Sequence, residues 1–249
     1  MKIALIGYGK MGKEIEKIAL QKGHEIVMKI HADNRDEFTI ENLKQADVAI
    51  EFTTPDSVVE HVKKCADAGV PVVVGTTAWY EHFDMLTEYV SAHTSALFYA
   101  TNFSIGVNLF FKINEMAANL MKNFPYELSM DEIHHTQKLD APSGTAITTA
   151  ERIMNVYPQK NTWANKIVTV NEDRHDTKVG SSELMIRSIR EDAVPGTHTV
   201  YYDSEVDTIE ITHTAHNRVG FAKGALSAAE WLKGKKGIYN MNDLLSFDK

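Results

Sequence analysis

The chain has 249 residues, 43% hydrophobic and 24% charged, a globular composition with length for one large or two modest cores. A formal net charge of -8, with no basic run or RNA-binding signature to offset it, argues against nucleic-acid binding and for small-molecule work. Cys65 is the single cysteine, so no intramolecular disulfide can form; residues 61–68 around it read as a helix, not a metal site, and no metal is expected. The amino-terminal apolar run is too short for a signal sequence, and no run of about 18 apolar residues occurs, so a soluble cytoplasmic protein without a membrane partner is expected.

In chain order, Lys2 to Ile6 reads as an apolar strand followed at once by Gly7-Tyr8-Gly9-Lys10-Met11-Gly12, which opens a helix running to about Lys22 and stopping at Gly23. Strand, G-x-G-x-x-G and helix in that order are the context of a dinucleotide fingerprint, with Gly7 for the turn and Gly9 for pyrophosphate approach. The fingerprint calls for an acid about 20 residues further on to hold the ribose hydroxyls. Here the second strand, 25–30, ends in His31-Ala32-Asp33-Asn34-Arg35. His31 takes the position after the strand and Asp33 is the nearest acid. Asp33 would favour a free 2'-hydroxyl, whereas Lys10 and Arg35 could neutralise a 2'-phosphate, so NADH and NADPH both remain open.

A third strand spans 48–52, a helix 57–68 closed by Gly69, and a fourth strand 70–74, all apolar and β-branched apart from Pro71, as in a parallel sheet covered on both faces. It ends at Gly75-Thr76-Thr77. A helix near 80–91 precedes a fifth strand, 96–99, which ends at Ala100-Thr101-Asn102-Phe103. Strands alternating with helices predict a doubly wound α/β sheet of the Rossmann type with ligands at the carboxyl ends of its strands. Residues 106–121 carry Leu109, Phe110, Ile113, Met116, Ala117, Leu120 and Met121 at helical spacing, expected to be core. Strand signals then dominate: 127–134, 166–171, 183–190, 197–203 and 207–214. They predict a second, α+β domain on a mixed or antiparallel sheet. Residues 219–233 form a final Ala-rich helix, and Asn242 could cap a further turn in the tail.

The stretch EIHHTQKLDAPSGTA, 132–146, carries the chemistry. A strand hands over to a loop near His135; the loop carries Lys138; Asp140, Pro142 and Ser143 supply cap chemistry and a proline suited to a first helical turn. The free backbone N–H groups near Ser143, Gly144 and Thr145 would favour an anion by about 0.3 to 1 kcal/mol in exposed geometry. His134 or His135 can move a proton near neutrality, and Lys138 supplies a cation. Together they suit a carboxylate-bearing substrate.

The spacing His-His-x-x-Lys-x-Asp-Ala-Pro-Ser-Gly-Thr is similar to the signature of the 4-hydroxy-tetrahydrodipicolinate reductase (dihydrodipicolinate reductase) family. The resemblance extends to the glycine fingerprint, EFTTP, GTTAW, ATNFSIGVN, VPGTHTV and EITHTAHNRVGFAKGAL, nearly the whole chain. It implies His134 as acid or base, Lys138 as proton donor, His135 as a substrate contact, and Ser143, Gly144 and Thr145 as a carboxylate site. The cofactor would be held by Gly7 to Gly12, His31, Asp33, Gly75 to Thr77 and Ala100 to Phe103. Arg218 falls at a family position near the hinge, with a cofactor-linked or structural role. The chain departs from the family with a His at the ribose-reading position and with Thr54 where some members place an Arg. By the same resemblance, 1–104 with 215–249 form a discontinuous dinucleotide domain, and 105–214 a substrate-binding and oligomerisation domain assembling a homotetramer. The implied reaction takes a cyclic imine with two carboxylates, which loses its 4-hydroxyl as water and accepts hydride from NADPH or NADH at ring C4. Two other readings stand beside it: a sugar or inositol oxidoreductase with the same nucleotide half, against which the DAPSGT helix start argues, and a non-catalytic NAD(P)-binding sensor, against which the intact acid–base residues argue.

Overall fold

A computed structural model describes residues 1–174, 179–217 and 219–247; Arg218 and part of the polar loop 171–182 lie outside the described residues. The chain divides into two compact units, Met1–Ile105 with Val219–Lys249, and Gly106–Arg218.

In the first unit, β1 (Lys2–Ile6) passes through the glycine turn into α1 (Lys10–Gln21), and Gly23, at φ 78°, returns the chain to β2 (Glu25–Ile30). A short α2 (Ile40–Leu43) leads to β3 (Val48–Glu51), α3 (Pro55–Asp67), β4 (Val72–Val74), α4 (Phe83–Ala92) and β5 (Ala96–Tyr99). After the second unit the chain returns as α7 (Val219–Leu232), β11 (Gly237–Tyr239) and α8 (Met241–Leu245). Six parallel strands lie in the order β11-β5-β4-β3-β1-β2. Strand alternation splits the core in two. Ile3, Leu5, Ile50, Val73 and Phe98 pack with α1 and α7, while Ala4, Ile6, Ala49, Val72 and Leu97 pack with α3 and α4. Burial on both faces is why β4 and, up to Glu51 at its end, β3 read as apolar runs. Cys65 of α3 is wholly buried, and burial pushes its thiol far above the usual range.

In the second unit, α5 (Ile105–Met121) precedes β6 (Glu127–His134), α6 (Gly144–Met154), β7 (Thr162–Val168), β8 (Glu183–Arg190), β9 (Thr197–Asp203) and β10 (Thr208–Thr214). The sheet order is β10-β9-β6-β8-β7, parallel across β6, β8 and β7 and antiparallel across β6, β9 and β10. It is a mixed sheet. One face carries Leu128, Met130, Leu184, Ile186, Val200 and Tyr202 against Phe110 and Phe111 of α5 and Ala146, Ala150 and Ile153 of α6.

Several expectations shift. The α3 helix starts two residues early because Thr54 stands at the N-cap and Pro55 suits the first helical position. Strand β4 begins after Pro71, which has no N–H for the ladder. Strand β7 lies at 162–168 rather than 166–171, since its register is set by pairing Thr162 with Glu183 on β8 and not by its own alternation. Strand β11 is an additional three-residue strand, held by β5 and too short to show a pattern. The cap of α8 is Asn240, not Asn242, whose N–H it accepts at 2.8 Å. The stripe on α5 is core only in part: Phe110 is buried and Ala117 and Met121 pack against the core, but Leu109, Ile113, Met116 and Leu120 are 43–68% exposed. The helix instead turns Val107, Phe110, Phe111 and Ala118 inward, with Asn114 among them bonding Phe110 O at 2.8 Å.

Helix α7 approaches the end of β5 so closely that a Cβ on Gly224 would lie 1.7 Å from the Phe103 carbonyl oxygen. That oxygen is backbone and cannot swing aside. Gly224→Ala is therefore expected to destabilise by about 1–3 kcal/mol, visible as a lower Tm in a thermal melt; an unchanged Tm would contradict this packing.

Candidate active site

In the first unit the polar strand ends gather at one edge, because a parallel sheet points all its carboxyl ends the same way. Each fingerprint glycine has a distinct reason. Gly7 has φ 97° and no room for a Cβ beside the Phe52 carbonyl; Gly12 lies against the Gly7 carbonyl; Gly9 has no heavy atom within 4 Å of its would-be Cβ. Gly9 also caps α1 without any side-chain hydrogen bond, so the N–H groups of the first turn are offered to an anion. These residues fit a dinucleotide pyrophosphate. The Tyr8 hydroxyl donates to Glu16, Met11 packs on the core, and Lys10 is exposed.

Beside the turn lies a cavity of about 340 Å³ lined by, among others, Gly9, His31, Arg35, Thr54, Ser57 and His61. His31 caps the turn at 32–37 and stands 3.3 Å from Asp33, whose side chain is 86% exposed and does not line the cavity. Thr54 sits 3.2 Å from Ser57, hydroxyl to hydroxyl. Gly75 has no room for a Cβ against the Phe52 ring; Thr76 is buried and accepts from Thr53 N at 2.7 Å; Thr77 is exposed. Ala100 and Phe103 are core, Phe103 packing on Phe52 and Phe98; Thr101 is exposed and Asn102 half-buried.

The residues expected to do acid–base work lie in the second unit. Period-two alternation puts Glu132 and His134 of β6 on the same face. His134 Nδ1 contacts the Glu132 carboxylate, and Arg190 Nη2 donates to the other Glu132 oxygen at 3.0 Å. Burial alone would raise the Glu132 carboxyl, but the hydrogen bonds from His134, Ser188 and Arg190 outweigh it and hold it at about 2. From β9, His198 faces His134 with ring centroids 5.1 Å apart, and its Nε2 lies 3.0 Å from Ser143 Oγ. Burial, reinforced by His134, pushes the His198 imidazole down to about 3, so it is neutral near pH 7. Gly196, at φ 151°, lets the start of β9 come so near that a Cβ there would stand 2.9 Å from His134 Nε2.

Ser143 is the N-cap of α6 and accepts from Ala146 N at 3.2 Å, so its hydroxyl is committed to the cap and to His198. Pro142 lies before the cap, outside the helix, not in its first turn; the Ser143 side chain provides the cap and so fixes the start. Gly144 is exposed with open space at its Cβ position, and Thr145 follows it in the first turn. His135 is half-buried, and among the described residues no group hydrogen-bonds its buried Nδ1. Lys138 Nζ is clasped by both Asp140 oxygens, at 2.7 and 2.8 Å. The pair is partly exposed and can be exchanged. Glu132, His134 and His198 offer possible metal-ligand atoms within 4.8 Å of one another. Arg190 already neutralises the carboxylate and His198 Nε2 is bonded to Ser143, so Glu132 and His134 form a hydrogen-bonded pair beside His198 rather than a cation site. Glu132, Arg190 and His198 escaped the sequence reading; the E-x-H alternation and the His of VPGTHTV were the available signals.

Residues 1–103 match the family model described as dihydrodipicolinate reductase, N-terminus, and 106–245 the one described as dihydrodipicolinate reductase, C-terminus. A 4-hydroxy-tetrahydrodipicolinate reductase of Christiangramia forsetii is 44% identical over 251 residues, covering 99% of this chain and 98% of that protein. One of Acinetobacter baylyi is 35% identical over 210 residues, 84% of this chain and 75% of its own. The solved structure of a dipicolinate-bound dihydrodipicolinate reductase from Paenisporosarcina sp. TG-14 matches with a TM-score of 0.79 at 26% identity, covering 98% of both chains. An amine dehydrogenase from Mycobacterium smegmatis shares the fold alone, with a TM-score of 0.59 at 11% identity over 96% of this chain and 94% of its own.

The Glu132 carboxyl, held down to about 2 and so well below the usual glutamate range, stabilises the fold above the unfolded value, and that stabilisation is lost as pH falls towards the folded one. Urea unfolding of the wild type between pH 5 and pH 2, roughly the interval between those values, should lose stability more steeply than that of Glu132→Gln. Parallel curves would rule out the ion-paired state of Glu132.

Proposed function

The chain belongs to the dihydrodipicolinate reductase family, and from that premise we infer that it reduces 4-hydroxy-tetrahydrodipicolinate to tetrahydrodipicolinate with NADPH or NADH, in diaminopimelate and lysine biosynthesis. The observation that carries the reading is His134, Lys138 and the start of α6 gathered around β6, in a chain that also keeps the open glycine cradle. The first unit holds the dinucleotide, which supplies hydride when bound. The second unit holds the substrate. The 4-hydroxyl leaves as water together with a proton lost from the neighbouring ring carbon, and one hydride and one proton are then added to the ring.

His135 and the backbone N–H groups at Gly144 and Thr145 take a substrate carboxylate, their partial positive charge costing no rearrangement at the moment of reaction. Lys138 releases Asp140, faces the charge that develops on the ring, and delivers the closing proton; His134 moves the second proton as acid or base. The sugar-oxidoreductase reading loses ground because dehydrogenases of other kinds share only the fold at about a tenth identity. The sensor reading loses ground because no acid–base residue is missing. A homotetramer on the second unit's sheet and a cytoplasmic location complete the proposal. The exposed residues of edge strand β10 support the first, and the lone buried thiol the second.

His134→Gln and Lys138→Ala, made separately, should each lower kcat/KM with the pathway substrate by about 100-fold or more, as expected on losing a proton-transfer or charge-stabilising group. Wild-type kinetics in both variants would end the assignment. The cavity beside His31 carries Arg35, Thr54 and Ser57 and no carboxylate, so kcat/KM should be higher with NADPH than with NADH. Arg35→Ala should erase that difference, and a persistent NADH preference in the wild type would contradict this reading of the cavity.

A further inference from the structure

Buried behind His134 is a second set of polar groups to which the proposed reaction gives no part. Glu132 presents one oxygen to His134 Nδ1 and the other to Arg190. The Arg190 guanidinium then continues outward: Nη2 donates to the Asp140 carbonyl at 2.7 Å and Nε to the Lys138 carbonyl at 3.4 Å, while Nη1 is fixed by its neighbour's carbonyl, Ile189 O, at 2.8 Å. One planar cation at the end of β8 thus ties the base of the histidine to the backbone of the loop that carries the lysine. Lys could not replace it, because an ammonium has no rigid fork to span a carboxylate and two carbonyls.

We propose that Glu132 and Arg190 are positioning residues for this reaction, the first fixing the His134 ring and its tautomer, the second holding the 138–140 loop at constant distance from that ring. The inference rests on the reductase reading for its kinetic consequences, but not for its structural ones. With Glu132 accepting at Nδ1, the His134 proton resides there and Nε2 is left to face substrate, on the side where only a glycine, Gly196, leaves it room. A buried carboxylate can stay charged in this place only because it is paired twice. Removing Arg190 leaves Glu132 short of a counter-charge, and removing Glu132 leaves Arg190 with its carbonyl partners alone and His134 Nδ1 without its acceptor. Among the described residues, the charged and titratable groups facing His134 are Glu132 on its own strand, His198 from β9 and, through Glu132, Arg190 from β8, while Lys138 and His213 act on His198.

Imidazole ¹⁵N shifts of His134 in the wild type should show the proton on Nδ1, and in Glu132→Gln a redistribution towards Nε2. In steady state Glu132→Gln should lower kcat by about 100-fold or more, with KM for substrate changed by less than about threefold, and should move the histidine limb of the pH–rate profile to lower pH. Arg190→Lys keeps the charge beside Glu132 and loses the loop clamp, so kcat should fall about tenfold with that limb unmoved. A merely structural pair would lower Tm in both variants while leaving tautomer, pH profile and the kcat-to-KM split as in the wild type; that result overturns the proposal. A wild type without turnover on the pathway substrate would remove the reductase reading. The ¹⁵N spectra, and a nuclear Overhauser contact between the loop at 138–140 and Arg190 that Arg190→Lys abolishes, would still decide for or against the positioning network.

Discussion

A carboxylate sealed between strands must be paired or it must give up its charge, and Glu132 is paired on both oxygens. That constraint orders the second unit. It fixes which face of β6 turns inward, sets the end of β8 beside the end of β6 so that Arg190 arrives, and brings β9 close enough for His198 and Gly196 to close around the histidine ring. The apolar layer of Leu128, Met130, Val200 and Tyr202 continues along the same face, so strand pairing and core packing support one register. A one-residue slip of β6 would carry Glu132 and His134 to the other face together with the apolar set.

Much of the fold was legible because its signals are local. The apolar runs 3–6, 48–50 and 72–74 state that the sheet is covered on both faces, and the glycine turn with its helix states where the edge suited to a dinucleotide lies. What misled was composition without direction. Helix α5 is apolar on more than one side, so spacing alone could not tell that Phe110 and Phe111 face the sheet while Ile113, which fits the same stripe, points outward. Strands β7 and β11 owe their bounds to partners distant in sequence, and a window of neighbouring residues cannot report a partner.

The site divides in the same way. His134, Lys138 and the Ser143 cap were visible as a contiguous motif, since a strand end, a loop and a helix start are all short-range features. Arg190 and His198 were not, because each reaches the histidine from another strand, 56 and 64 residues further along by their numbers. Ser143 illustrates the limit from the other side: its position was read correctly, yet its hydroxyl already serves the backbone of Ala146 and the His198 ring.

The clasp of Lys138 by Asp140 makes the loop carry its own tethered rival for any visiting anion. Arrival of a ligand is then a swap of counter-ions, and affinity measures only the margin between the two pairings. Weak single-charge anions gain little from such a swap. In the proposed site, a rigid ring bearing two carboxylates would set one against the helix start while the other displaces the resident acid, and so gains on both counts.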